Sequence, residues 1–419
     1  MWRTWSCPCS VAPGSPNCRP VESLSVTTTS SDSVTNPTAT TTATPSATAG
    51  ATAATQHDRT PLRVVVLYGG QSTEHSVSCI SAGAIMDHLD PERYTVIPVG
   101  ITQDGAWVPG QLDTAQLRAE GRTMPTVEDQ GTHLMPVLGQ AAGEPGELRV
   151  VTGQHAGETF SSFDLVFPVL HGVNGEDGTV QGLLDLAGIP YVGNGVLASA
   201  AGMDKVFTKR LARVAGIPVG QEIVLEQQRT LTAEEQEQLG LPVFVKPARG
   251  GSSIGISKVD RWEDVDAAID LAFAHDSKVL IESMIHGREV ECGVLQHPDG
   301  SLVASVPAML EGTEDGAEGF YGFDAKYVDS TVSASIPAPL TEEDTRQVQQ
   351  WAIETFRALG CEGLARVDFF VTKNGPVLNE INTLPGFTPI SMYPQMFLAQ
   401  GMEYEQLLDT LIQRARVAR

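Results

Sequence analysis

Apolar and polar positions along this chain change their period several times. LRVVVLYGG (62–70) is an unbroken apolar run ending in glycines, as expected of a strand buried on both faces. A helix follows over about 78–89, then a strand over 94–100. FDLVFPVLHG (163–172) repeats the buried-strand pattern, and GTVQGLLDLAG reads as a helix stopped by Gly188. Strands alternating with helices predict a parallel sheet with helices on its faces, forming a first domain over 61–200. The polar, Gly-rich segment 103–160 reads as an insertion with little regular structure.

After 200 the pattern changes. LPVFVKP and IGISKVD are strands separated by the loop ARGGSS, a hairpin arrangement. RWEDVDAAIDLAFAHD reads as an amphipathic helix and KVLIESMI as a strand, so 201–287 is an α+β unit with antiparallel character. The remainder, 288–419, alternates strands with the long helix TEEDTRQVQQWAIETFRALG, which has Thr341 and Asp344 as a capping pair and Gly360 as its stop. Residues 1–60 differ from all of this: 23 of them are Ser or Thr, too little apolar surface to offset chain entropy, and they read as a disordered tail.

The formal charge of −24 argues against nucleic acid or an anionic membrane as a partner, since no basic face can be assembled. No run of 18 apolar residues predicts a transmembrane helix. Met1–Pro20 lacks the apolar stretch of a secretory signal, so a cytoplasmic location is expected. The six cysteines show no CxxC pair or zinc spacing and read as reduced thiols. Only seven of the 27 basic residues are lysines, so each lysine is a candidate for chemistry.

Two strand motifs near the C-terminus carry hard oxygen donors. In LARVDFFV, Arg366 and Asp368 are two apart and share a face; in PVLNEINT, Glu380 and Asn382 do the same. Carboxylates on apolar strands need a cation, and Asp, Glu and Asn suit Mg²⁺ completed by phosphate oxygens. Lys246 ends PVFVK just before GGSSIG, whose glycines leave backbone N–H groups able to wrap phosphate. Such a loop alone is more often a surface hairpin; beside a carboxylate metal site it reads as a triphosphate cradle. Lys205 and Lys326 are further candidates, and no GxxxxGK[ST] occurs, which excludes a P-loop NTPase. GNGVLA (193–198) mimics a dinucleotide fingerprint but lacks a well-placed acidic partner, so its glycines read as loop and packing residues. GGQSTEHSVS and LHGVNGEDG put Glu74, His75, His171, Glu176 and Asp177 at strand ends, where such sheets bind ligands. Glu74 suits an amino-acid ammonium, His171 reads as a pocket-lining residue, and Glu176 and Asp177 as helix caps.

Taken together, GGQSTEHSVS, LHGVNGEDGTVQG, MDK, VKPARGGSSIGISKV, AKY, ARVDFF and NEINTLPGFTPIS occur in an order and spacing that resemble D-alanine–D-alanine ligases of the ATP-grasp superfamily. The resemblance covers 62–419. It implies a three-domain ATP-grasp fold, in which 61–200 binds substrate, 201–287 and 288–419 clamp ATP, and 311–330 forms a lid. It implies ligation of two D-alanines through a D-alanyl phosphate, with two Mg²⁺ (or Mn²⁺) on Asp368, Glu380 and Asn382. Lys205, Lys246, Lys326, Ser252 and Ser253 would then meet the phosphates, and Glu282 and Glu289 the adenine and ribose. Glu74 would bind the first alanine's ammonium, with His171 beside it. Arg366 and the Gly386 N–H would stabilise the oxyanion, and Ser391 would hold the second alanine's carboxylate. Ser252, Tyr327 and Glu74 would form a hydrogen-bonded trio. Tyr327 after Lys326 favours D-alanine as acceptor, with D-lactate or D-serine the alternative. The family likeness further implies a homodimer. A nucleotide-binding regulator would be expected to lack a metal ligand or phosphate lysine, and none is missing here.

Overall fold

The computed structural model describes residues 60–418 apart from 120, 122, 140–142, 252, 312–332 and 389. The first apolar run is β1 (Leu62–Gly69), followed by α1 (His75–His88), β2 (Tyr94–Ile101) and the short β3 (Trp107–Pro109). β1 and β2 pair in parallel, and β3 adds an antiparallel edge.

The segment expected to be irregular is not. It contains β4 (His133–Pro136), β5 (Gly146–Thr152) and β6 (Thr159–Phe163), an antiparallel three-stranded sheet. Its inward side chains Leu134, Leu148, Val150 and Phe163 are buried in one core with Val65, Leu67 and Val99. Every second residue of a short strand suffices to build such a face, so an overall polar composition conceals it. Gly153 and Gly157 occupy the connection between β5 and β6 with φ of 97° and 95°, conformations that suit glycine.

β7 (Leu165–Val169) is buried at all five positions and pairs in parallel with β1 on the side away from β2. α2 (Thr179–Ala187) stops at Gly188, whose φ is 69°. α3 (Val196–Met203) and α4 (Lys205–Val214) follow, separated by Asp204, whose side chain accepts from Val206 and Phe207 N–H. The antiparallel unit then contains β8 (Glu222–Leu225), α5 (Ala233–Leu239), β9 (Val243–Pro247), β10 (Ser257–Val259), α6 (Val265–Phe273) and β11 (Val279–Ser283). Its strand order is β10-β9-β11-β8, with β9 and β10 the expected hairpin.

The last sheet is the largest. β12 (Arg288–Gln296), β13 (Leu302–Ala304), β14 (Ala308–Glu311) and β15 (Ser333–Ser335) precede α7 (Glu342–Ala358), and then come β16 (Leu364–Thr372) and β17 (Gly375–Asn382). β12 pairs with β16 and β16 with β17, while Glu311 and Ser333 face each other across β14 and β15. Thr341 accepts from Asp344 N–H at the start of α7, as expected. α8 (Met392–Ala399) and α9 (Tyr404–Ala418) end the chain. Leu407, Leu408, Leu411 and Ile412 of α9 share a core with Val64 and Val66 of β1, so the two ends of the described chain are packed together.

GNGVLA is a packing element. Asn194 is 3% exposed and donates to both the Leu364 and Thr383 carbonyls at 2.7 Å. Its carbonyl oxygen accepts from Glu362 N–H at 2.8 Å. Replacing Asn194 with Ala orphans these buried groups and should destabilise the fold by about 3 kcal/mol in urea unfolding. A loss below about 1 kcal/mol would contradict this role.

Candidate active site

Alternation puts Glu289 and Glu291 on one face of β12, Arg366 and Asp368 on one face of β16, and Glu380 and Asn382 on one face of β17. The register joins them: Glu291 is opposite Asp368, and Asp368 opposite Glu380. Arg366 donates to Asp368 through Nε and Nη2, both at 2.8 Å. Its Nε also lies 3.2 Å from Glu291. Burial alone would lower the pKa of Arg366, but Asp368, Glu291 and Glu380 hold it above the usual arginine range. Asn382 Nδ2 donates to Asp368 at 2.9 Å.

Among the described residues, no three or more His, Cys, Asp or Glu side chains cluster as a closed metal site. Asp368, Glu380 and Asn382 form an open set of hard oxygen donors on one sheet face. Such a set fits Mg²⁺ only when phosphate oxygens complete the shell, as the chemistry of that ion prefers.

Two cavities meet here. The smaller, about 160 Å³, is bounded by Glu74, His171, Glu176, Arg366, Gly386 and Ser391, among others. The larger, about 470 Å³, is bounded by Lys246, Ser253, Glu282, Glu289 and Phe370. Lys205 and Glu380 border both. Lys205 Nζ is 3.3 Å from Glu380 and donates to the Gly250 carbonyl at 2.9 Å, bridging sheet and glycine loop. Lys246 is buried against Glu282. Burial and the charge of Lys205 push its pKa down to about 8, although Glu380 and Glu222 oppose this. Ser253 has a φ of 59°, part of the tight turn that follows the glycines.

The smaller cavity draws on both ends of the described residues. Glu74 precedes α1, and a Cβ added at Gly251 would lie 3.3 Å from its Oε2, so the carboxylate lies against the glycine loop. His171 faces the Leu384 carbonyl through Nδ1 at 3.2 Å and Ser81 through Nε2 at 3.1 Å. A carbonyl only accepts, so Nδ1 carries the proton and Nε2 accepts from the serine hydroxyl. Burial keeps the pKa of this imidazole below its ordinary value, despite the charge of Glu74. A Cβ at Gly386 would lie 2.8 Å from Ser391 Oγ, so only glycine allows that approach. Ser391 directly precedes α8, whose first amides lack intrahelical acceptors and suit a carboxylate. Ser252, Lys326, Tyr327 and all of the expected lid but Glu311 lie outside the described residues.

One expectation is corrected. Asp177 does bind the Thr179 N–H at the start of α2, but Glu176 caps nothing. Its carboxylate accepts from Gly172 N–H at 2.7 Å and Leu384 N–H at 3.1 Å, tying two walls of the smaller cavity together. Sequence reading also passed over Glu291, two residues beyond Glu289 on the same strand face, and Lys209, four beyond Lys205 on the same helix face. Both spacings were visible signals.

Residues 63–194 match the family model described as D-ala D-ala ligase N-terminus, and 211–413 match D-ala D-ala ligase C-terminus. A D-alanine–D-alanine ligase of Corynebacterium jeikeium is 72% identical over 86% of this chain and 98% of its own length. That of Rhodococcus erythropolis is 54% identical over 84% and 96%. Among solved structures, the Coxiella burnetii D-alanine–D-alanine ligase aligns with a TM-score of 0.71 at 34% identity, covering 85% of this chain and 94% of its own. A D-Ala:D-Ser ligase from Enterococcus faecalis aligns with 0.69 at 35%, covering 85% and 100%. The fold is that of an ATP-grasp enzyme, an ATP-dependent ligase. The chain belongs to the D-alanine–D-alanine ligase family.

Burial, then the nearby charge of Glu74, raises Glu176 from 4.5 to about 8. The unfolded chain therefore gives up this proton first, and stability should fall as pH rises from about 4.5 to 8. Thermal melts of wild type and Glu176→Gln across that range should diverge, the variant lacking this component of the slope. Parallel curves would contradict the assignment.

Proposed function

We propose that this chain joins two D-alanines into D-alanyl-D-alanine for peptidoglycan precursors, converting ATP to ADP and phosphate. The observation that carries the reading is the shared border: one lysine and one carboxylate, Lys205 and Glu380, belong to both an amino-acid-sized and a nucleotide-sized cavity. A carboxylate in the first then meets a terminal phosphate from the second. Its oxygen attacks the γ-phosphorus and ADP leaves. The second alanine's amine attacks the resulting acyl carbon and phosphate leaves; its ammonium gives up two protons, one to solvent before attack and one to the departing phosphate, and keeps the third as the amide N–H.

Lys205 and Lys246, with Lys326 and the Ser252–Ser253 turn, would neutralise the phosphates, and Glu282 and Glu289 would contact the nucleoside. Glu74 would hold the first ammonium, with Ser252 and Tyr327 completing a hydrogen-bonded trio. Arg366 is pre-aimed by two carboxylates, which supports its role, with the Gly386 N–H, at the tetrahedral oxyanion. Ser391 and the start of α8 suit the second carboxylate. Asp368, Glu380 and Asn382 would hold two Mg²⁺ or Mn²⁺, which when bound neutralise phosphate charge. The arrangement as domains 61–200, 201–287 and 288–419, a lid over 311–330, a homodimer and a cytoplasmic location belong to the same proposal. No helix among the described residues is long and apolar enough to cross a membrane.

The test is ADP release with Mg²⁺ and D-alanine, with L-alanine, and with D-alanine plus D-lactate or D-serine, products identified by mass. D-Alanyl-D-alanine should be the only product. A depsipeptide or a D-serine product would reassign the acceptor, and no turnover with any D-amino acid would sink the proposal. Asp368→Ala and Glu380→Ala should each lower turnover by roughly 10²–10³-fold while melting cooperatively; normal turnover in either would remove the metal assignment.

A further inference from the structure

Lys209 lies on the same face of α4 as Lys205 but reaches neither cavity; its side chain is 1% exposed. One oxygen of Glu282 pairs with Lys209 and the other with Lys246. Glu222 lies 4.0 Å from Lys209 and is held by Arg213 at 2.6 Å. This cluster therefore sets the buried Lys209 and Lys246, with the solvent-exposed Arg213 at its rim, against two carboxylates, Glu222 and Glu282. Within these ion pairs the cations outnumber the carboxylates by one, and Lys246 is the member of the cluster's cations that borders the larger cavity. Burial, with repulsion from Lys246, Lys205 and Arg213, pushes the Lys209 ammonium well below its usual range, and Lys246 falls to about 8. Desolvation is the larger cause of both shifts, and the neighbouring cations add to it.

We infer that Lys209 is a positioning residue for nucleotide binding: by sharing Glu282 it loosens that carboxylate's hold on Lys246, so that Lys246 can turn to a phosphate. The inference rests on reading the larger cavity as the ATP site. A carboxylate held between two ammoniums binds each less tightly than it binds one alone. In a buried site that difference is large, because Coulomb attraction is weakly screened there. Without Lys209, a phosphate must compete with Glu282 for Lys246. Lys209 touches no nucleotide; it acts through Glu282.

Calorimetric titration of the full chain with ADP and with adenosine separates the two roles Lys209 can have. Lys209→Met should weaken ADP about tenfold, the worth of one hydrogen bond to a charged group, while adenosine changes less than about twofold. Equal losses for both ligands, or unchanged ADP affinity, would overturn the inference, since a merely structural lysine gives one or the other. In a Glu282→Gln background there is no carboxylate to share, so adding Lys209→Met should leave the ADP-to-adenosine ratio unchanged. A further selective loss of ADP there would also overturn it, and this comparison decides even if Lys209→Met alone does not fold. Wild type binding ADP no better than adenosine would instead overturn the reading of the cavity, and the inference with it.

Discussion

The half-buried Arg366 guanidinium lies on a sheet face between the buried carboxylates of Asp368 and Glu291, and the geometry of the site follows from that placement. A buried charge is tolerable only with partners in good geometry, and removing one partner of such a pair is expensive. Two neighbouring strands supply the partners because their register puts Glu291 directly opposite Asp368. The six-stranded sheet is thus the floor on which charged groups can be fixed out of water.

From that pair the charges continue in a chain. Asp368 faces Glu380 across the ladder, Glu380 meets Lys205, and Lys205 reaches the glycine loop. Farther in, Glu282 joins Lys246 to Lys209, and Glu222 joins Lys209 to Arg213. The signs alternate along the second stretch, whereas in the first the carboxylates of Asp368 and Glu380 are neighbours across the ladder, the place that suits a metal cation. The smaller cavity is assembled differently, from turns of the first sheet closed onto the Leu384–Ser391 loop by Glu176 and His171. Packing of α9 against α1 and β7 holds those distant segments side by side.

Much of this was legible because the chemistry lies on strands with period two. Arg366 with Asp368, and Glu380 with Asn382, announce their shared faces by spacing alone, and Lys246 announces the glycine hairpin beside it. The buried strands of the first sheet were equally plain, being apolar without interruption. The sheet of β4–β6 was hidden because half of each short strand faces solvent and the intervening turns are rich in glycine. Glu176 was misread since an acid near a helix start usually caps it; only the fold reveals that its acceptors serve Gly172 and Leu384 instead. Lys209 was passed over although its spacing from Lys205 puts it on the same helix face, because that spacing does not say that the side chain will be sealed beneath a cavity.

The central claim is that a substrate carboxylate in the smaller cavity attacks phosphate from the larger one across the Lys205–Glu380 border. The most direct measurement uses D-alanine carrying ¹⁸O in both carboxylate oxygens, with unlabelled ATP, and mass analysis of the phosphate released. Attack by the carboxylate leaves one of its oxygens on phosphorus, so each phosphate should carry a single ¹⁸O. Unlabelled phosphate, with both ¹⁸O atoms kept in alanine or dipeptide, would show that the carboxylate never meets the γ-phosphorus and that the two cavities do not work as one site.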